Sequence, residues 1–153
     1  MKNIYFFILT AALAMAVIAR SGAEPAMKTQ AKPAKTITAL KPSALAAEGK
    51  KNALPGGGWF IWRFDRKPRL GPAILKVQVY SKESKQDSSY EITGESGMPS
   101  MRDHDSGPLK FQLNRKGDYL LPINVVMAGG WEVVIRIKKN GKELFAGKTD
   151  FNV

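Results

Sequence analysis

From residue 59 onward, apolar and polar side chains alternate with a period of two, in short runs separated by Gly, Asn, Asp and Pro. Leu75, Val77 and Val79 fall on one face, with Lys76, Gln78 and Tyr80 on the other. Leu109, Phe111 and Leu113 alternate with Lys110, Gln112 and Asn114. Tyr119, Leu121, Ile123 and Val125 make a further apolar face. Trp131, Val133, Ile135 and Ile137 make another, opposed by Glu132, Arg136 and Lys138. Residues 59–65 are aromatic-rich and strand-like, and residues 89–95 form a weaker strand around Tyr90 and Ile92. A strand sends successive side chains to opposite sides, so this pattern suits half-buried antiparallel strands. About seven strands in about 95 residues, with no helical periodicity, predict an all-β, immunoglobulin-like antiparallel sandwich.

The connections agree. Asn140-Gly141 between Lys139 and Lys142 suits a two-residue hairpin, because both positions tolerate positive φ. Ala128-Gly129-Gly130 links two strong strands. The stretch from Leu113 to Tyr119 has the spacing of a tyrosine corner, in which a Tyr entering a late strand bonds back to the backbone. Pro122 within a strand implies an edge position or a bulge.

The domain plan has three parts. Residues 1–23 read as a signal peptide: Lys2 is followed by an apolar run over residues 4–19, then by Ser21 and Ala23 at cleavage-site spacing. The run is short for a membrane span of roughly 20 residues, although an uncleaved anchor is the alternative. Residues 24–58 are rich in Ala, Lys and Pro and read as a disordered linker, because such a composition buries too little apolar surface to offset chain entropy. Gly56-Gly57-Gly58 reads as a hinge, since no phosphate-loop Lys-Ser/Thr follows it. Residues 59–153 are the sandwich domain.

The signal segment sets the compartment as periplasmic or otherwise extracytoplasmic. The formal charge is +11, spread without a dense basic cluster. For an exported chain this points away from nucleic acid. It favours a weak attraction to anionic membrane or cell-wall surfaces. The chain contains no cysteine. Disulfides, a lipid-anchored signal, thiolate nucleophiles and zinc–thiolate sites are therefore absent, and stability must come from packing. A monomer is expected.

One loop is unusual. Residues 97–107 hold Met98, Met101 and the sole histidine, His104. Met127 closes a strand just before the Ala-Gly-Gly turn. Strand ends gather at the poles of a sandwich, so Met127 can lie near this loop. Thioether and imidazole donors suit Cu(I) better than zinc or magnesium. Methionine is equally a gap-filler of cores, and a loop histidine is commonly solvated. Asp103 and Asp105 fall short of the six to eight oxygens that calcium takes. Trp59, Trp62 and Trp131 are expected in the core. A single histidine with no nucleophile beside it and scattered carboxylates give no catalytic constellation, so the chain is not expected to be an enzyme.

Gly-Met-Pro-Ser-Met from residue 97, His104, Gly117-Asp-Tyr119 and Met-Ala-Gly-Gly-Trp from residue 127, followed by a Val/Ile strand, together resemble the YtkA-like domain, with its FixH-like relatives. The resemblance covers roughly residues 59–153 and is strongest over residues 97–137. It implies an exported or membrane-anchored β-sandwich associated with copper handling and haem–copper oxidase assembly. The implied metal residues are Met98, Met101, His104 and Met127. The implied cofactor is Cu(I), and the implied partner is a membrane-bound envelope or respiratory complex. This sequence departs from the pattern in having a single histidine and in placing Arg102 inside the loop, where a cation opposes metal binding. A second reading stays open: a structural or interaction module that docks on an envelope complex through its basic linker and sandwich edges.

If the leader is cleaved after Ala23, intact-mass measurement of the exported protein will show Glu24 as its first residue. A membrane-retained species carrying residues 1–23 would instead mean an anchor.

Overall fold

The computed structural model describes residues 39–101 and 105–153. The signal segment and residues 24–38 lie outside the described residues. Within the described residues the chain is all-β, with ten strands and no helix. In order these are β1 (Ser43–Ala44), β2 (Asn52–Ala53), β3 (Trp59–Phe64), β4 (Gly71–Tyr80), β5 (Glu91–Gly97), β6 (Leu109–Lys110), β7 (Gln112–Leu113), β8 (Tyr119–Val125), β9 (Gly130–Lys139) and β10 (Lys142–Asn152). They form two five-stranded sheets, ordered β1-β10-β9-β5-β6 and β2-β3-β4-β8-β7. All pairings are antiparallel except the short parallel contact of β1 with β10.

The alternation places the core where the sequence predicts it. Ala73, Leu75, Val77 and Val79 of β4 are buried, as are Tyr119, Leu121, Ile123 and Val125 of β8. From the other sheet, Ile92 of β5 and Trp131, Val133, Ile135 and Ile137 of β9 face them in one cluster. Gly94 of β5 is an inward position with no room for a side chain. A Cβ there would stand 2.6 Å from Leu121 Cδ2 and 2.8 Å from Phe111 Cε2.

Ten strands replace the expected seven for a specific reason. The run 109–113 is one stretch of chain that changes sheets. β6 pairs with β5, and β7 pairs with β8. Between them Phe111 is buried, and its N–H donates to Ile92 O at 2.9 Å. The same device recurs at the opposite edge, where β1 joins one sheet and β2 the other.

That second crossing overturns part of the linker assignment. Residues 43–58 are built into the sandwich. Leu54 is buried, Leu45 packs against the core, and Asn52 is buried as well. The Trp62 indole N–H donates to Ala46 O at 2.9 Å, and Gly49 N–H donates to Trp62 O at 2.9 Å. Asn52 Oδ1 accepts from Ala46 N–H at 2.8 Å. Two leucines and one asparagine fix the segment despite its Ala/Lys-rich average. The triple glycine is likewise a turn and no hinge: Ala53 pairs with Trp59, and Leu54 N–H donates to Gly58 O at 2.8 Å.

Other connections follow their sequence signals. Asn140 and Gly141 take φ of 52° and 74° in the β9–β10 hairpin. Pro122 sits beyond the short β7 contact, which reaches only Tyr119 and Leu120, so it lies where β8 is an edge. Tyr119 differs from a tyrosine corner. Its hydroxyl donates to Tyr90 O at 2.9 Å and accepts from Tyr90 N–H at 3.1 Å, joining β8 to the chain entering β5 on the other sheet. Burial raises the pKa of this hydroxyl. Trp62 and Trp131 are core, but Trp59 is half-buried. It stacks on Tyr80 at 4.1 Å with Lys51 Nζ 4.1 Å from its ring.

Deleting residues up to Pro55 removes Leu45, Leu54 and the acceptor of the Trp62 indole. A chain beginning at Gly56 is expected to lose at least about 2 kcal/mol, the low end for losing one large core side chain. Denaturant melts against the chain that retains residues 39–55 will read this. Equal stability would mean the segment only rests on the surface.

Candidate functional site

One end of the sandwich gathers the candidate ligands. β5 runs antiparallel to β9 with Gly97 opposite Glu132, so the loop after β5 leaves at the end where β9 begins. Its base is closed by Ser96 and Ser106. Ser106 N–H donates to Ser96 O at 2.9 Å, and Ser96 N–H donates to Ser106 Oγ at 3.0 Å. Asp105 lies against Gly97, filling the space a side chain there would need. Met98 to Met101 form a four-residue turn in which Met101 N–H donates to Met98 O at 2.8 Å. Pro99 suits this turn because its ring presets φ at the second position.

The two methionines of the turn have different surroundings. Met98 is 4% exposed and belongs to the core cluster, whereas Met101 is 44% exposed. Across from Met98 lies the connection that leads into β9. Gly129 has φ of +136°, and a Cβ there would stand 2.9 Å from Met98 Cε. Met127, two residues earlier, is half-buried and packs against the same cluster. Its carbonyl accepts from the Trp131 indole N–H at 3.1 Å. Gly129 is fixed from the other side by paired backbone bonds with Val153, at 2.8 and 3.1 Å.

The structure therefore brings the Met98 turn and the Met127 turn to one pole, with Met101 exposed at the turn's far side. His104 lies outside the described residues, with Arg102 and Asp103. Met98 acts first as a packing group that closes the core beneath Gly129. Among the described residues, no group of three or more His, Cys, Asp and Glu side chains is placed to hold a metal.

The same pole carries a feature that the sequence reading passed over. The β3–β4 connection concentrates Arg66, Lys67 and Arg69 ahead of an exposed Leu70. This is a local basic cluster, contrary to the even spread expected from total charge. The signal was present as Arg-Lys-Pro-Arg-Leu but was averaged away by counting over the whole domain. The connection is stitched at its base. Asp65 Oδ1 accepts from Ile74 N–H at 2.9 Å, and Arg66 donates to Pro72 O at 2.8 Å. Arg66 also lies 3.7 Å from Asp65. It borders a shallow depression shared with Asn152 and Val153.

The opposite pole is held by polar contacts. Lys139 Nζ bonds Asp87 at 3.0 Å and sits 4.3 Å from the Tyr90 ring. The Ser89 hydroxyl, then its amide and the Lys139 ammonium, hold Asp87 below the usual aspartate pKa against opposing burial. Near the methionine pole, bonding to Glu132 raises the pKa of Lys148.

No family model matches the chain, and no curated protein matches it. Among solved structures it is similar to FetP of uropathogenic Escherichia coli strain F11. A copper-bound FetP variant aligns with a TM-score of 0.47 at 8% identity, covering 69% of this chain and 93% of that one. FetP as isolated after recombinant expression in the E. coli periplasm aligns with a TM-score of 0.46 at 12% identity, with the same coverage. Scores and identities this low assign no function to the chain.

Gly129→Ala is expected to destabilise the domain by about 1–2 kcal/mol, because an L side chain is strained at that φ. The Met98 methyl must also shift. Thermal or denaturant melts will measure the loss. A neutral substitution would show that the connection relaxes freely and that Met98 does not depend on it.

Proposed function

We propose that this chain is an exported, non-catalytic binding module whose methionine pole takes a soft metal ion, Cu(I) in particular. The observation that carries the reading is the meeting of two methionine-bearing turns at one pole. They are separated by almost thirty residues in the sequence, yet Met98 Cε lies against Gly129, two residues along the chain from Met127. The donor chemistry fits: Met101 is exposed, Met127 is half-buried, and thioethers prefer a soft, singly charged ion. Met98, Met101 and Met127 would hold the ion, with His104 as the nitrogen donor. The resemblance to copper-associated YtkA-like domains points the same way. The leader-like residues 1–23 support an extracytoplasmic location, and a membrane-bound envelope or respiratory complex is the client class that the resemblance implies. The module works as a monomer.

A second reading rests on the burial of Met98. If the methionines are packing alone, the domain is an interaction module for an envelope complex. Competition against a Cu(I) chelator separates the two. Thioethers carry no proton to lose, so part of the affinity should survive at acid pH. The His104 contribution should fade as the imidazole protonates. Met98→Leu/Met101→Leu nearly conserves volume and is expected to weaken Cu(I) binding by about tenfold or more, while leaving the melting transition in place. Equal competition by wild type and the double variant would favour the interaction module.

A further inference from the structure

We propose that the pole bearing the β3–β4 connection is a docking surface for a membrane rich in anionic lipid. Leu70 and Val126 enter the headgroup–acyl boundary, and Lys67 and Arg69 engage lipid phosphates. The proposal stands apart from the soft-metal reading, and its test uses no metal.

Leu70 and Val126 are the most exposed large apolar side chains among the described residues, at 58% and 56%. They are neighbours. β4 begins at Gly71, which pairs with Val125 at the end of β8, so Leu70 and Val126 occupy the flanking positions just beyond the sheet. Each follows or precedes a strand whose inward residues are already buried. Nothing in the alternation requires a leucine or a valine there. A lone exposed leucine has no meaning, but two at one tip beside a basic run form an amphipathic edge. Long basic side chains can lay their stems along the apolar tip while their charges reach headgroups.

The local charge is favourable. Asp65 is occupied by Arg66 and by the Ile74 amide, so it does not cancel Lys67 or Arg69. Neither Lys67 nor Arg69 has an ion-pair partner among the described residues. Pro68 and Pro72 and the two hydrogen bonds at its base give the connection a fixed shape. The acidic groups Asp150, Glu132 and Asp105 lie toward the other sheet, where Glu132 is paired with Lys148. A membrane approached from the Leu70 side therefore meets cations first.

The absence of cysteine allows a clean test. Val126→Cys in the full chain is labelled with a polarity-sensitive fluorophore, and Arg115→Cys in the β7–β8 turn is labelled as the opposite-pole control. Each is mixed with vesicles of phosphatidylglycerol and phosphatidylcholine, or of phosphatidylcholine alone. The expected result is a blue shift at position 126 on anionic vesicles only, with none at position 115. Lys67→Glu/Arg69→Glu, placed in the Val126→Cys background, should weaken this response by about tenfold or more. Leu70→Ser should reduce the shift. The two-pole comparison holds even if residues 1–23 tether the chain, because a tether does not insert position 126. No shift at position 126, an equal shift at both positions or on neutral vesicles, or a shift with polyglutamate but not with vesicles would overturn the proposal.

Discussion

Two apolar sheet faces closing on one another, without any covalent cross-link, hold everything else in place. The chain has no disulfide to fall back on. Its core is the contact of Leu75, Val77, Leu121 and Ile123 on one side with Ile92, Val133, Ile135 and Ile137 on the other. At one inward position a glycine stands in place of a side chain: Gly94 leaves room for Leu121 and Phe111. The lateral edges are managed by topology. Chain that changes sheet runs along each of them, β1 into β2 at one and β6 into β7 at the other, and each edge strand is only two residues long. Short, sheet-switching edges offer little template for strand pairing with a second chain.

Both poles are tied by hydrogen bonds, with different side chains added to them. At one, Tyr119 bonds the backbone of Tyr90, and Asp87 holds Lys139, so polar contacts lock the connections. At the other, backbone bonds between Gly129 and Val153 and between Ser96 and Ser106 are joined by apolar contacts, Met98 against Gly129 and Phe64 against Phe151 at 5.1 Å. The second pole is the one that carries the thioethers, the basic tip and the exposed apolar side chains Leu70 and Val126.

Much of the fold was legible because period-two alternation reports burial directly. The faces of β4, β8 and β9 were readable residue by residue, as were the Asn140-Gly141 hairpin and the edge position of Pro122. What composition concealed was local. Two leucines and an asparagine between residues 45 and 54 suffice to bind a segment whose average is that of a linker. The run 109–113 reads as one strand because alternation is unbroken across Phe111. Its change of sheet depends on a backbone bond to Ile92 that leaves no mark in the pattern. In the candidate region, strand-end geometry was the signal that set the Met98 loop and the Met127 turn at the same end of the sandwich. The sequence could not separate a buried methionine from an exposed one, since both read as apolar residues in a loop. Arg66, Lys67 and Arg69 were visible but diluted by whole-domain charge.

The proposed metal site requires Met98, Met101 and Met127 to act as one soft pole. Methyl NMR of methionine-labelled protein during titration with Ag(I), a redox-inert stand-in for Cu(I), tests it most directly. The Met98, Met101 and Met127 methyl resonances are expected to move together as the ion approaches equimolar. Movement of the exposed Met101 alone, or of none of the three, would contradict it and leave Met98 and Met127 as packing groups.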